Sequence, residues 1–370
     1  MTERSPGGLG VLAPAAQVGR YFAVVGGVST LVAAIVPIVL LAAGAPSREP
    51  SLILAAERLR ALNLADVGLL AVLVLAGGLV LHPLQFPFTQ LLEGYWGTNS
   101  FAQRAMRRSI HRHYLKRLAV TDLYTGAAAQ TKLLADQLSQ LHDERPVGVL
   151  GSKSPPLTER DRLLIDRIPH LATMQEAKRV LSRYPDSANE LMPTRLGNVL
   201  RRHERMAGDP YGLDAVVVVP YLAQVVDETL REYHDDVRSS FDLAVRMVLV
   251  WTSATVIGVA LLWQYSIWLA VPLATFVLAY ASYRGAVAAA VQYGDALAVI
   301  VALGRADLYR RLRVPFPADS DTERERNANL VLQLQGVPAS AEYLPEPPPA
   351  PTTSVSRAWR SVKGRLFDRH

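Results

Sequence analysis

The chain contains no cysteine. That excludes disulfides, thiolate zinc sites, iron–sulfur clusters and cysteine nucleophiles. The redox compartment stays open, because a chain without thiols suits any of them. Charge is also thin: Asp, Glu, Lys and Arg make up 19% of 370 residues while hydrophobic residues reach 50%. A soluble protein carries about 25% charged residues, so part of the apolar content must be kept from water. Lysine is nearly missing, with five among the 39 basic residues, so the net charge of +6 is carried by arginine. With abundant alanine, that bias points to a bacterial genome rich in G and C.

Signatures of chemistry are missing as well. No GxSxG, GxGxxG or HExxH occurs, and no Glu-x-x-His pair of the di-iron type. Gly148, Gly151, Ser152 and Lys153 imitate a phosphate loop. The Walker spacing needs Gly directly before Lys, and Ser152 intervenes. His111 and His113 are two apart and fall on different helix faces. Glu228, Glu232, His234, Asp235 and Asp236 form an acidic stretch whose ordinary reading is a solvated face. The expectation is therefore no catalytic residue, no metal, no cofactor and no enzyme. Nucleic acid is not expected as a partner either, because the arginines cluster where a membrane protein needs them.

What the chain does have is four long apolar runs. The first, YFAVVGGVSTLVAAIVPIVLLAAGAP, follows Arg20 and is uncharged for about 26 residues, where about 20 cross a bilayer. Ala43, Gly44 and Ala45 imitate a signal-peptidase site, but the run is too long for a signal peptide. Pro37 lies inside it. The second run follows Asp66 and ends near Phe86. Phe86, Phe88, Tyr95 and Trp96 then fall at headgroup level, and Pro83 and Pro87 predict a bend or unwinding there. The third and fourth, 247–263 and 267–283, are joined by Gln264, Tyr265 and Ser266, which predicts a tight helical hairpin. The basic residues cluster after spans two and four, and the hairpin turn has none. By the positive-inside rule both termini and the region between spans two and three are cytoplasmic.

The expected fold is an all-α integral membrane protein: two TM helices, a cytoplasmic helical insert, then two TM helices continuing into a cytoplasmic stalk. The segments are 1–20, an N-terminal tail; 21–96, spans one and two with a short external loop; and 97–240, the cytoplasmic helical domain. They continue as 241–284, the span hairpin; 285–314, a cytoplasmic helix; and 315–370, a flexible Pro-rich tail with a basic amphipathic end. The tract after Arg284 is apolar enough to suggest a fifth span. The missing turn, and Gln292 and Asp295, favour a buried helix of the stalk. Residues 50–66 predict an amphipathic helix lying on the outer surface.

Several residues carry functional readings. Arg104, Arg107, Arg108, Arg112 and Lys116 recur at helical spacing near the bilayer and suit anionic lipid headgroups, as do Arg357, Arg360 and Lys363 in the tail. A solvated face is the competing reading. Thr194 predicts a helix cap, with Leu196, Val199, Leu200 and His203 on one face. Arg195, Arg201 and Arg202 decorate the remainder as a candidate anion or partner patch, and Gly197 implies a close helix approach. Asp66, His82 and Glu93 are the candidates for a pore or vestibule. Glycines 26, 27, 77, 78 and 258 permit close helix contacts within or between subunits, so a homo-oligomer is expected.

LLEGYWG, LMPTRLGNVLRRHE and YGLDAVVVVPYL resemble segments of a bacterial family of multi-span membrane proteins, over about 80–315. That resemblance implies no activity and carries over no catalytic residue. The residues alone leave two readings. One is a non-enzymatic membrane anchor or scaffold whose cytoplasmic helices hold a protein partner. The other is an oligomeric ion channel or pore, since bestrophin-type anion channels share the two-plus-two order of spans.

Overall fold

A computed structural model describes residues 29–141, 157–340 and 343–345. Among them the regular structure is helical throughout, without a strand. The N-terminal tail, the 148–154 phosphate-loop mimic and the basic end with Arg357, Arg360 and Lys363 lie outside the described residues.

The chain opens with α1 (Ser29–Ala42), which continues through Pro37. Beyond a short turn, α2 (Leu52–Arg60) starts at Ser51, whose hydroxyl accepts from the Leu54 amide. Arg58 reaches back to the Leu41 and Ala42 carbonyls, a cation on the free acceptors of a helix C-terminus. Next, α3 (Leu64–Glu93) begins with a capping box: the Asn63 side chain accepts from the Asp66 amide and Asp66 accepts from the Asn63 amide. α2 and the first part of α3 meet at 110°. Of the bend or unwinding expected at Pro83 and Pro87, unwinding does not occur: α3 stays helical through both. The two prolines are four apart, so both missing amides fall on one face and the ladder persists on the others.

α4 (Ser100–Gln140) is 41 residues long, about 60 Å, with Asn99 as its cap. α5 (Glu159–Leu181) starts at the predicted Thr158–Asp161 capping box and packs along α4. The packed positions of α5, Leu163, Arg167, His170, Met174, Ala177 and Leu181, alternate steps of four and three, the seam of a coiled coil. α4 and α5 thus form a two-helix arm.

The centre is built by α6 (Arg195–Gly208), α7 (Ala215–Leu222), α8 (Glu228–Leu262) and α9 (Ala270–Leu312). Three residues and a short 3₁₀ turn join α8 to α9, as the hairpin reading predicts. α8, and α9 together with that turn, are the two described helices long and apolar enough to cross a membrane. The bent pair α2–α3 satisfies the same criterion when its halves are taken together, and α1 is a shorter apolar helix. Val256, Leu273, Phe276 and Val277 are more than half exposed on the hairpin, an apolar surface unlike that of a water-soluble helix pair.

α9 runs unbroken through the tract proposed as a fifth span. Ala286, Ala290, Gly294, Leu297 and Val301 form its buried stripe, while Gln292 and Asp295 are exposed. One core joins Leu196, Val199 and Leu200 of α6 to Phe241 and Val245 of α8 and Ala286 and Ala290 of α9. A second joins α7 to Leu297, Ile300 and Leu308 of α9. Among the described residues, one helix lies within the 315–370 segment. α10 (Ser320–Leu334) packs back through Leu330, and Asn327 donates to the Tyr309 hydroxyl and the Tyr211 carbonyl.

The ends of the molecule are distinct. The C-terminal end of α1 packs on the hairpin turn through Leu40, Ala45 and Leu262, and the Tyr265 hydroxyl donates to the Pro46 carbonyl. The C-terminal end of α3 lies at the opposite end of the hairpin, against α6.

Candidate functional site

Two of the resembling stretches meet there. Gly94 ends α3 with φ 112°, a left-handed conformation that favours glycine, and its missing side chain leaves room for the Pro193 ring. The Thr194 hydroxyl accepts from the Gly197 amide as the predicted cap and donates to the Glu93 carbonyl at 2.9 Å. Gly197 packs against that same carbonyl; a Cβ there would lie 1.9 Å from it. Asn198, 1% exposed, fastens the preceding loop: its amide nitrogen donates to the Met192 and Thr194 carbonyls, and its oxygen accepts from the Met192 amide. The LMPTRLGN motif is therefore a socket for the end of α3, and it fixes where Arg195 points.

Arg195 lines a concavity of about 240 Å³. Lys116 of α4, Arg183 just after α5 and Arg284 of α9 complete four cations around it, with Tyr184 and Tyr283 beside them. No acidic residue lines the concavity. The arm reaches this point through its base: Ser109 donates to the Pro193 carbonyl, Arg117 to the Asp186 carbonyl, and His113 Nδ1 lies 3.2 Å from the Tyr184 hydroxyl. Burial lowers the His113 pKa first, and Arg195, Lys116 and Arg112 lower it further. Burial likewise raises the Tyr184 pKa, against the pull of Arg195 and Arg183.

The predicted residues separate. Of Arg195, Arg201 and Arg202, only Arg195 faces the concavity. Arg202 is taken by Asp186 and the Tyr184 carbonyl, and Arg201 lies 3.8 Å from Glu204. The α6 N-terminus, expected to assist an anion, has two amides already occupied: Gly197 by Thr194, and Leu196 by the Tyr283 hydroxyl at 3.4 Å. On α4, Arg104, Arg107, Arg108 and Arg112 are exposed, and Lys116 alone lines the concavity. Asp66 serves as a helix cap. Glu93 lies beyond the apolar run, next to α6, and its carboxyl is pushed up to about 7 by burial and by Glu204, against Arg201. His82 falls within α3, and its side chain lies outside what the structure describes.

Arg183, Tyr184 and Arg284 were not among the predicted site residues. Arg284 was legible only as a topological charge, and no spacing signal links 183 to 116 or 284. Among the described residues no group of three His, Asp or Glu is placed to hold a metal, the 228–236 stretch included. Gly258 is used within the chain, where a Cβ would meet Pro272 at 3.2 Å.

No family model, curated protein or solved structure matches the chain. The resemblance of its three stretches therefore rests on those residues alone, and the bestrophin-type analogy on span order alone.

Proposed function

We propose that the chain is a non-enzymatic, multi-pass protein of the bacterial cytoplasmic membrane that anchors a helical arm for a cytoplasmic protein partner. Four segments cross the bilayer, two before the 97–240 insert and two after it, with both termini and the arm on the cytoplasmic side. The basic residues of α4 and α9 gather at one end of the hairpin, while its turn is uncharged, which supports that orientation. Much of α3 is exposed and apolar, with Leu69, Val72, Leu79 and Phe86 outward, so lipid and a second copy of the chain cover it.

The observation that carries the reading is the arm. α4 and α5 are two long helices held at their base by the 184–193 loop, yet they leave Leu123, Leu133, Leu164, Ile165 and Ile168 exposed outside the apolar runs. Apolar side chains held clear of both core and bilayer are what a partner surface requires.

The absence of cysteine makes the topology test clean. Gln264→Cys at the hairpin turn reacts with an impermeant maleimide in intact cells, and Asp136→Cys on the arm reacts only after lysis. The functional test uses purified protein in liposomes together with a photocrosslinker at Ile165. A non-conducting protein that crosslinks through Ile165 in cells, and loses the adduct on Leu164→Glu/Ile168→Glu, fits the scaffold. Ionic conductance, or an arm whose charge substitutions change no adduct, refutes it.

A further inference from the structure

The four cations around the concavity come from three separate parts of the molecule. Lys116 and Arg183 belong to the base of the arm, Arg195 to α6, and Arg284 to the helix leaving the span hairpin. None of them has an acidic partner among the described residues. Their neighbours differ: Arg179 pairs with Glu176, Arg201 with Glu204, Arg202 with Asp186 and Arg205 with Glu190. Acids are therefore at hand along the same helices, yet none lines the concavity. Burial is the main cause of the lowered His113 pKa, and the further lowering by Arg195 and Lys116 reports the same field from an adjacent side chain.

We propose that this concavity binds a phosphate-bearing anion, held by Lys116, Arg183, Arg195 and Arg284. Guanidinium groups match phosphate oxygens in pairs, and lysine adds a point charge. At about 240 Å³ the space is smaller than the ~300–1,000 Å³ of sites for drug-sized molecules, and suits one compact charged group. Val180, Val287 and Val291 form an apolar wall, which fits the carbon skeleton of an ester beside its phosphate. The holding falls to side chains, because the Leu196 and Gly197 amides are already bonded. Arg284 directly follows the apolar run that ends at Tyr283, so the concavity opens at the level of lipid headgroups as well as to solvent. A bound anion would tie the base of the arm to the span hairpin. The proposal is independent of what the arm binds.

The test uses the full chain in nanodiscs of two compositions, phosphatidylcholine alone or with phosphatidic acid added. Inorganic phosphate is titrated into the first, and lipid retention from the second is read by native mass spectrometry. Arg195→Gln/Arg284→Gln removes two of the cations. Lys132→Gln/Arg162→Gln removes the same charge far along the arm. Tighter binding of phosphate to wild type than to the first variant, by tenfold or more, assigns a free phosphate. Selective retention of phosphatidic acid, lost in that variant and kept in the second, assigns a headgroup. Equal binding by wild type and Arg195→Gln/Arg284→Gln overturns the proposal, and so does an equal loss in both double variants. Circular dichroism checks folding, and Lys116→Gln/Arg183→Gln replaces the first variant if it does not fold.

Discussion

Replacing Gly197 by alanine probes the socket between α3 and α6 with the smallest change available. An added Cβ would lie 1.9 Å from the Glu93 carbonyl oxygen, 2.9 Å from Met192 Cβ and 3.0 Å from the Glu93 carbonyl carbon. Ordinary contact requires more than 3 Å to oxygen, so the end of α3 must retreat by more than an ångström. The obstacle is backbone, not the tip of a flexible side chain, so it cannot rotate away. Overpacking of this kind costs about 1–3 kcal/mol. The retreat also stretches the Thr194–Glu93 hydrogen bond, worth about 0.5–1.5 kcal/mol. Against this, alanine is favoured over glycine inside a helix by about 1 kcal/mol. The balance is a destabilisation of about 2 kcal/mol, close to thirtyfold in the folding equilibrium. Denaturant unfolding in detergent micelles, followed by the fluorescence of Trp96 beside the socket, measures it. Gly126→Ala on α4 is the control: nothing lies within 4 Å of its added Cβ, and it should be neutral or stabilising. If Gly197→Ala is as stable as wild type while Gly126→Ala behaves as stated, the close approach of α3 to α6 is wrong.

Asn198→Asp keeps the shape but loses both donated hydrogen bonds and buries a charge. It should cost at least about 2 kcal/mol and open the 184–194 loop to limited proteolysis. Glu93 should make stability depend on pH. Its folded pKa lies above the unfolded value, so the folded state favours the protonated form, and stability falls as pH rises from about 4.5 to about 7. Burial raises the Glu204 pKa and so contributes with the same sign, with Arg201, Arg205 and Asp214 as its charged neighbours. Glu93→Gln should flatten the profile in that window, read from unfolding midpoints across pH; an unchanged slope contradicts the burial of this carboxyl. Asn327→Leu removes the donor to the Tyr309 hydroxyl and the Tyr211 carbonyl, and should release α10 as faster hydrogen exchange over 320–334 with no change in α8.

Where the physics is local, the sequence already contained the structure. Thr194 and Thr158 cap helices because each hydroxyl needs an amide only three residues away, and the stripe from Leu196 to His203 follows from 3.6 residues per turn. The helical hairpin of α8 and α9 was legible because three residues between two apolar runs permit little else. The concavity was not legible, because its cations lie at 116, 183, 195 and 284, and they meet only through the bonds of Ser109, Arg117 and His113 to the 184–193 loop and the packing of α6 on α9. Arg201 and Arg202 resembled Arg195 in sequence. What separates them is which acids fold back, Glu204 from the next turn and Asp186 from the loop before. Asp66, a candidate for a pore or vestibule by its place at the end of an apolar run, exchanges hydrogen bonds with Asn63 at the start of α3.

The level at which these features gather follows from α9. Its buried stripe runs through Thr275, Ala279, Ala286, Ala290, Gly294, Leu297 and Val301, and the small residues among them let α8 and α6 pack closely. The stripe is continuous from one end to the other, but its surroundings change. Before Tyr283 the exposed side chains include Leu273, Phe276 and Val277; after it Arg284, Gln292 and Asp295 appear. The exposed face thus changes from apolar to polar without a change in the helix's manner of packing. The change coincides with the end of α3, the start of α6 and the base of the arm.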